Sequence, residues 1–325
     1  MKFYGDYREI AEKSGVQVEK RDTAKIISFT PYIYNECSAN CRFCSERLSR
    51  NGKAMICRNI CGDYRERLKN VLDILSDRDV FLSLSGKEPT ESPEMLALIA
   101  ETVLNYKNIG EKVMYSNLSG FCKYDLKNIL DKIGLTRIEC SRHHFDENVN
   151  NSIMCFNRNE KIKYNRVFTE TIGQLSENFN MRMVCVFQKT GISDYQGIKQ
   201  YLDFAKSTGI SDVVFRELAV FDKCVDMGNT AEYIIKNRID LSEIISRLDE
   251  REFALKNIVQ GYYYYSFEYK YRGMKVCFEM SDYEEMEKRI SENHLQKLIL
   301  YPDGKLCMNW NMMNEVDING IFENS

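Results

Sequence analysis

Between residues 25 and 220, short runs rich in Val, Ile, Leu and aromatic residues alternate with longer segments whose apolar positions recur at helical spacing. The short runs predict six strands, at 26–34, 80–85, 112–116, 137–141, 182–187 and 212–218. The longer segments predict helices at 63–75, 93–105, 124–133, 161–178 and 194–207. In the last of these, Ile198, Leu202 and Ala205 fall on one face, Gly209 follows as a stop, and Ser193 or Asp194 can cap the start. Strands that alternate with helices build parallel βαβ units. The predicted fold class is therefore α/β, a partial (β/α)6 barrel with its helices outside.

The pattern changes on both sides of that block. The first 24 residues read as an amphipathic helix and a lead-in. Beyond 220, a Tyr-rich run at 262–271 and the run 274–278 predict a hairpin turning at Arg272-Gly273. A charged helix at 283–292 and a second hairpin at 298–307 follow. The expected organisation is a helical lead-in (1–24), the barrel (25–220) and a C-terminal helix and β-hairpin extension (221–325) covering the barrel mouth, with its tyrosines walling the pocket. Only four prolines occur and no Gly/Ser-rich linker, so the extension should pack against the barrel.

Composition narrows the partners. The net charge is −3 over 325 residues and no long run of one sign occurs, so no nucleic-acid face is expected. No apolar run approaches the roughly 18 residues of a membrane span, and the N-terminus lacks the apolar core of a signal peptide. A cytoplasmic protein with no membrane partner is the expectation. Twelve cysteines in a large chain of this kind read as free thiols or metal ligands in a reducing compartment.

Three of those cysteines carry the chemistry. Cys37, Cys41 and Cys44 follow the first strand with Cys-x3-Cys-x2-Cys spacing, and Phe43 precedes the last. Three thiolates can grip three corners of a 4Fe-4S cubane and leave one iron open. A closed zinc site would need four ligands, and no histidine lies nearby. The loop resembles the signature of the radical S-adenosylmethionine superfamily, in which the open iron chelates the cofactor's amino and carboxylate groups. The resemblance covers about residues 25–220 and implies one 4Fe-4S cluster, S-adenosylmethionine, and an electron donor such as flavodoxin or ferredoxin.

Later strand ends extend the likeness. Gly86, Glu88 and Pro89 match the family's Gly-Gly-Glu-Pro segment, with Lys87 in place of the second Gly. The segment's backbone and its acidic residue would receive the cofactor's ammonium. Asn117 sits where the family often carries a Thr-Asn-Gly end, and Ser141 and Arg142 where a carboxylate contact is expected. His143 and His144 stand at the fourth strand end as candidates for substrate binding or proton transfer. By position alone, Gln188, Arg216 and Glu217 are candidates for the adenine, ribose and substrate pocket.

The other cysteines do not form a second cluster motif. Cys57 and Cys61 make one Cys-x3-Cys pair, and Cys122, Cys140, Cys155, Cys185, Cys224, Cys277 and Cys307 are scattered. Cys140 and Cys185 fall within strand patterns as core residues, whereas Cys57, Cys61, Cys122, Cys155 or Cys307 could donate hydrogen to a substrate radical. The expected activity is hydrogen abstraction from a small polar metabolite leading to epimerisation, dehydrogenation or rearrangement. A radical peptide maturase is the alternative within the family. A non-catalytic zinc or iron-sulfur protein is the alternative outside it.

Overall fold

The computed structural model describes residues 3–20, 26–33, 36–50, 53–54, 60–221, 225–291, 295–310 and 315–316. The chain opens with α1 (Phe3–Lys13), β1 (Val18–Lys20), β2 (Ile26–Pro31) and a small ribbon of β3 (Ser49–Arg50) and β4 (Lys53–Ala54). Strand and helix then alternate: α2 (Tyr64–Ile74), β5 (Asp79–Leu84), α3 (Pro93–Val103), β6 (Ile109–Ser116), α4 (Lys127–Ile133), β7 (Arg137–Ser141), α5 (Glu147–Met154), α6 (Asn165–Ser176), β8 (Met181–Phe187), α7 (Tyr195–Ser207) and β9 (Asp212–Glu217). The remainder holds α8 (Asn229–Asn237), α9 (Leu241–Ile245), β10 (Phe253–Gln260), β11 (Tyr264–Tyr271), β12 (Met274–Ser281), α10 (Tyr283–Ser291), β13 (Lys297–Leu300) and β14 (Leu306–Cys307).

The six predicted strands are β2, β5, β6, β7, β8 and β9, and each pairs in parallel with the next. This is the α/β partial barrel the alternation called for. Asp194, not Ser193, caps α7, accepting from Gly197 N–H at 2.7 Å. Helix α5 has no counterpart among the predicted elements. It is held by Asp146, whose carboxylate accepts from the Asn148 and Val149 N–H groups.

The tail extends the sheet. A half-barrel leaves two edge strands with unpaired backbone groups, and tail strands take both. β12 runs parallel to β9 at one edge and β13 parallel to β2 at the other. The sheet thus reads β1-β10-β11-β12-β9-β8-β7-β6-β5-β2-β13-β14. Hairpin β11–β12 turns through Arg272 and Gly273, both at positive φ (46° and 86°). The sequence pattern anticipated that hairpin, but not β10 or the parallel pairing of β12.

Side chains alternate across these strands. On the outer face Ile27, Phe29, Val80, Leu82, Ile138, Cys140, Met183, Cys185, Val213, Phe215, Val276, Phe278, Leu298 and Leu300 join one core with the helices. Cys140 and Cys185 are core residues, as their strand positions implied. The inner face is different, carrying Thr30, Ser83, Glu139, Arg182, Arg216, Glu279 and Lys297 around a small apolar layer of Val184, Val214 and Cys277. Arg216 on β9 and Lys297 on β13 lie six strands apart in the sheet order, roughly 30 Å if the sheet were flat. They nevertheless lie near enough that the Arg216 charge adds to the desolvation that lowers the Lys297 pKa. The sheet therefore curls around a polar lumen.

Candidate functional site

The cysteine loop is fastened to the mouth of the lumen on several sides. The last turn of α5 leaves carbonyls without helical partners, and the loop takes them. Asn40 N–H donates to the Met154 and Cys155 carbonyls at 3.0 and 3.1 Å, and Arg42 N–H to Ile153 at 3.2 Å. Asn157 N–H returns the contact to Ser38 O at 2.9 Å. On the opposite side the Ser38 hydroxyl donates to Ser119 Oγ at 2.6 Å and accepts from Asn117 Nδ2 at 3.0 Å. Asn117 Nδ2 also lies 4.0 Å from Cys37 Sγ. Asn117 thus braces the loop that carries the thiols. Ser38 and Ser119 were not singled out in the sequence because their role depends on packing between distant loops.

Cys37, Cys41 and Cys44 are neighbours at this mouth. Burial raises all three thiols, Cys37 to about 12, and the Cys41 thiol is raised further by the Cys44, Cys37 and Cys155 sulfurs beside it. Among the described residues, no three Cys, His, Asp or Glu side chains already form a metal-ligand group. The donor chemistry fits a cubane with an open iron: three thiols share one loop, and iron binding would displace their protons. Cys61 is half-buried near Asp63, Cys122 is half-buried, and Cys307 is buried in a small cluster with Tyr32, Ile299 and Tyr301. Cys57 and Cys224 lie outside the described residues.

Gly86 sits at φ +132°, and a β-carbon there would stand 2.3 Å from the Ile33 carbonyl oxygen. Only glycine allows this approach. Lys87 N–H then donates to the same carbonyl at 2.9 Å, joining the β2 and β5 strand ends. Among the described residues the non-glycine positions at positive φ are Leu118, Cys155 and Arg272, so Lys87, where the resembled motif has a second glycine, keeps ordinary backbone geometry. Glu88 is buried, and its carboxylate accepts from Thr90 N–H, the Thr90 and Ser116 hydroxyls, and Asn117 N–H at 2.7 Å. Those donors oppose the upward push of burial on its pKa. Glu88 ties the β5 and β6 ends together, so its carboxylate is not the free ammonium ligand that the motif suggested.

Several other candidates face away from the mouth. Arg142 is 1% exposed, with its guanidinium donating to the Ile162 and Lys163 carbonyls and to Asn165, over the Phe168 ring. It belongs to the outer helical layer and cannot serve as a carboxylate contact at the mouth. Glu217 also points outward, where it accepts from the Tyr7 hydroxyl, Leu241 N–H and the Arg238 guanidinium. Burial lifts its pKa to about 7 despite Arg238. It straps α1 and the start of α9 to the barrel.

His143 is buried, and its Nδ1 accepts from Val186 N–H at 3.0 Å. Desolvation, helped by Arg142, lowers its pKa to about 3, so the ring is neutral and cannot shuttle protons near neutral pH. Its ring meets Phe43 edge-on at 4.9 Å, which seats the cysteine loop against the fourth strand end. His144 is half-buried; its Nδ1 accepts from Asp146 N–H at 2.9 Å at the start of α5. Ser141 lies on the inner face, in register with Val184.

Gln188 and Arg216 remain. Gln188 is fully buried, its Oε1 accepts from Tyr233 at 2.8 Å, and its Nε2 has no partner. An orphaned buried donor beside the cysteine loop suits a bound polar group; Arg42 of that loop lies over Tyr233 at 5.9 Å. Arg216 bridges Glu139 and Glu279 at 2.9 and 2.7 Å and lies over Tyr115. It stands inside the lumen.

The three-cysteine loop thus lies at the carboxyl ends of the strands of a parallel half-barrel, where ligands of such folds bind. No family model matches the chain, and no curated protein matches it. Among solved structures, Streptococcus suis SuiB bound to the precursor peptide SuiA is similar at 14% identity, covering 93% of this chain and 62% of that one, with a TM-score of 0.49. Native anSMEcpe with bound AdoMet and Cp18Cys peptide is similar over 58% of this chain and 50% of that one (14% identity, TM-score 0.41). HydG, a maturase of the [FeFe]-hydrogenase, is similar over 65% and 48% (14% identity, TM-score 0.40). The chain spans about 62% of SuiB's length. No helix among the described residues is long and apolar enough to cross a membrane.

Proposed function

We propose that the chain is a radical S-adenosylmethionine enzyme that holds one 4Fe-4S cluster on Cys37, Cys41 and Cys44, with the cofactor at the open iron. The carrying observation is the fastening of a loop with three thiols and no fourth motif cysteine to the strand ends over a polar lumen. Bound there, the cluster and cofactor would supply radical hydrogen-abstraction chemistry, with the electron coming from an external donor. The chain's own residues orient and enclose. Ser38, Asn117 and Ser119 fix the loop, Gly86 lets the β5 end approach β2, and Gln188 offers its free amide hydrogens to the cofactor.

The cofactor's ammonium is assigned to the Gly86–Glu88 backbone, since the Glu88 carboxylate is already engaged. Ser141 and Arg216 face the lumen and are assigned to the substrate side. Of the two substrate classes, a peptide is preferred over a small metabolite. SuiB and anSMEcpe, each solved with a peptide, prompt that choice.

The test is anaerobic reconstitution followed by reduction with dithionite and measurement of 5'-deoxyadenosine. The wild type should bind about four irons and release the nucleoside. Cys41→Ala should fall to the level of cluster-free protein. Undiminished product from that variant overturns the assignment, and four irons without cofactor cleavage in the wild type favours a non-catalytic iron-sulfur protein.

A further inference from the structure

The lumen contains a cation that the proposed cofactor chemistry does not use. Lys297 opens β13 on the inner face, opposite Ser28 in the parallel register with β2. Its neighbours Leu298 and Leu300 turn outward into the main core. Among the described residues no carboxylate pairs with the Lys297 ammonium. It lies over the Trp310 ring, 4.7 Å from the centroid, and its charge is opposed by Arg216 across the lumen. Arg216 has its own carboxylates, Glu139 and Glu279, whereas Lys297 has none among the described residues. On the same inner face, opposite Ile299 in the register, the Thr30 hydroxyl is fully buried with no hydrogen-bond partner.

A cation kept in an interior without a counter-ion costs stability. Desolvation and Arg216 lower the Lys297 pKa to about 8, the direction expected of an amine in that position. Lys297 is nevertheless half-buried by exposed area and not sealed. The unpaired ammonium, the orphaned hydroxyl two residues along the register and the indole face stand on this one side of the sheet. A carboxylate would satisfy the first two, and the methylenes attached to it would lie against the third.

We infer that Lys297, with Thr30 and Trp310, forms an anchor for a carboxylate of the substrate inside the barrel lumen. The inference deepens the enzyme reading above and rests on it for the word substrate. The shared chemistry is a carboxylate on a short aliphatic arm, which a free dicarboxylic acid or an acidic peptide side chain would both supply.

Trp310 is the chain's only tryptophan, so its emission reports on this site. The cluster-loaded enzyme is titrated with succinate or with the blocked peptide Ac-Ala-Glu-Ala-NH2. Succinamide and Ac-Ala-Gln-Ala-NH2 serve as neutral controls. A saturable change in emission is expected with at least one carboxylate ligand and not with its amide, and the responding arm identifies the source. Lys297→Met should weaken the response at least tenfold, and Lys297→Arg should restore it. In the unliganded wild type, emission should inflect near pH 8, and the bound carboxylate should move that inflection upward. Equal responses to acid and amide, a Lys297→Met variant that responds like the wild type, or no response to either carboxylate would overturn the anchor. That result beside a normal yield of 5'-deoxyadenosine removes the anchor alone; loss of 5'-deoxyadenosine in the wild type removes the enzyme reading, while the titration still decides whether the site binds carboxylate.

Discussion

Arg216 and Glu217 are adjacent on β9, and they belong to two different regions of the molecule. Arg216 faces the lumen, among Glu139, Glu279 and Tyr115. Glu217 faces the helical layer and fastens Tyr7 of α1. The same division separates Ser141, inside, from Arg142, outside. In both cases two charged or polar residues share a strand end and only one can meet a ligand, because successive side chains leave a strand on opposite faces. The lesson is that position at a strand end narrows the choice by half and parity settles the rest. Outer polar groups should act on stability, inner ones on binding.

Arg216→Met is the strongest challenge to that division. Glu139 keeps Arg137 and Arg182, but Glu279 loses the ion-pair partner it has among the described residues, and removing one partner of a buried pair costs about 3–5 kcal/mol. Denaturant unfolding should register that loss, which gives this inner residue a structural role beside the proposed one. A variant as stable as the wild type would mean that the two carboxylates are well solvated.

Glu217→Gln tests the outer face. The carboxyl is lifted from 4.5 to about 7 on folding, so its protonated form is favoured in the native state. Its stabilising contribution is complete below the unfolded value and fades as pH rises through about 7. The stability of the wild type relative to Glu217→Gln should therefore fall by about 3 kcal/mol between pH 4.5 and 8. His143 works in the opposite direction, since its folded pKa of about 3 lies below 6.5 and protonation destabilises the fold as pH falls below 6.5. Only the difference between variant and wild type isolates Glu217. A difference independent of pH would place its carboxylate in water.

Gly86→Ala bears on the junction between the two regions. The new methyl would collide with the Ile33 carbonyl oxygen in a backbone conformation that alanine resists. A loss of about 1–3 kcal/mol is expected in thermal unfolding, accompanied by lower iron retention after reconstitution. An unchanged melting temperature would show that the β2–β5 strand ends separate at little cost.

Much of the barrel was legible because each strand carries β-branched and apolar residues and each helix carries a periodic face. The cysteine spacing and Gly86 were legible for a related reason: local chemistry, not packing, dictates them. Helix α5 was harder to see, being only eight residues long and dependent on Asp146 for its cap. The tail strands were partly visible as hairpins, but nothing local states that β12 will pair in parallel with β9 or β13 with β2. Lys297 gave one hint, a lone charge ahead of Leu298-Ile299-Leu300.

By itself the sequence determined the order of strands and helices, the three-thiol loop and its place after the first strand, because these follow from periodicity and ligand spacing over a few residues. The tertiary structure alone decided which member of each polar pair faces the lumen, that Glu88 and Asn117 brace strand ends, and that Lys297 stands unpaired near Arg216. The physical reason is range. Propensity and spacing act between near neighbours, whereas the partner of a buried charge is chosen by the curl of a sheet that brings strands from opposite ends of the chain together.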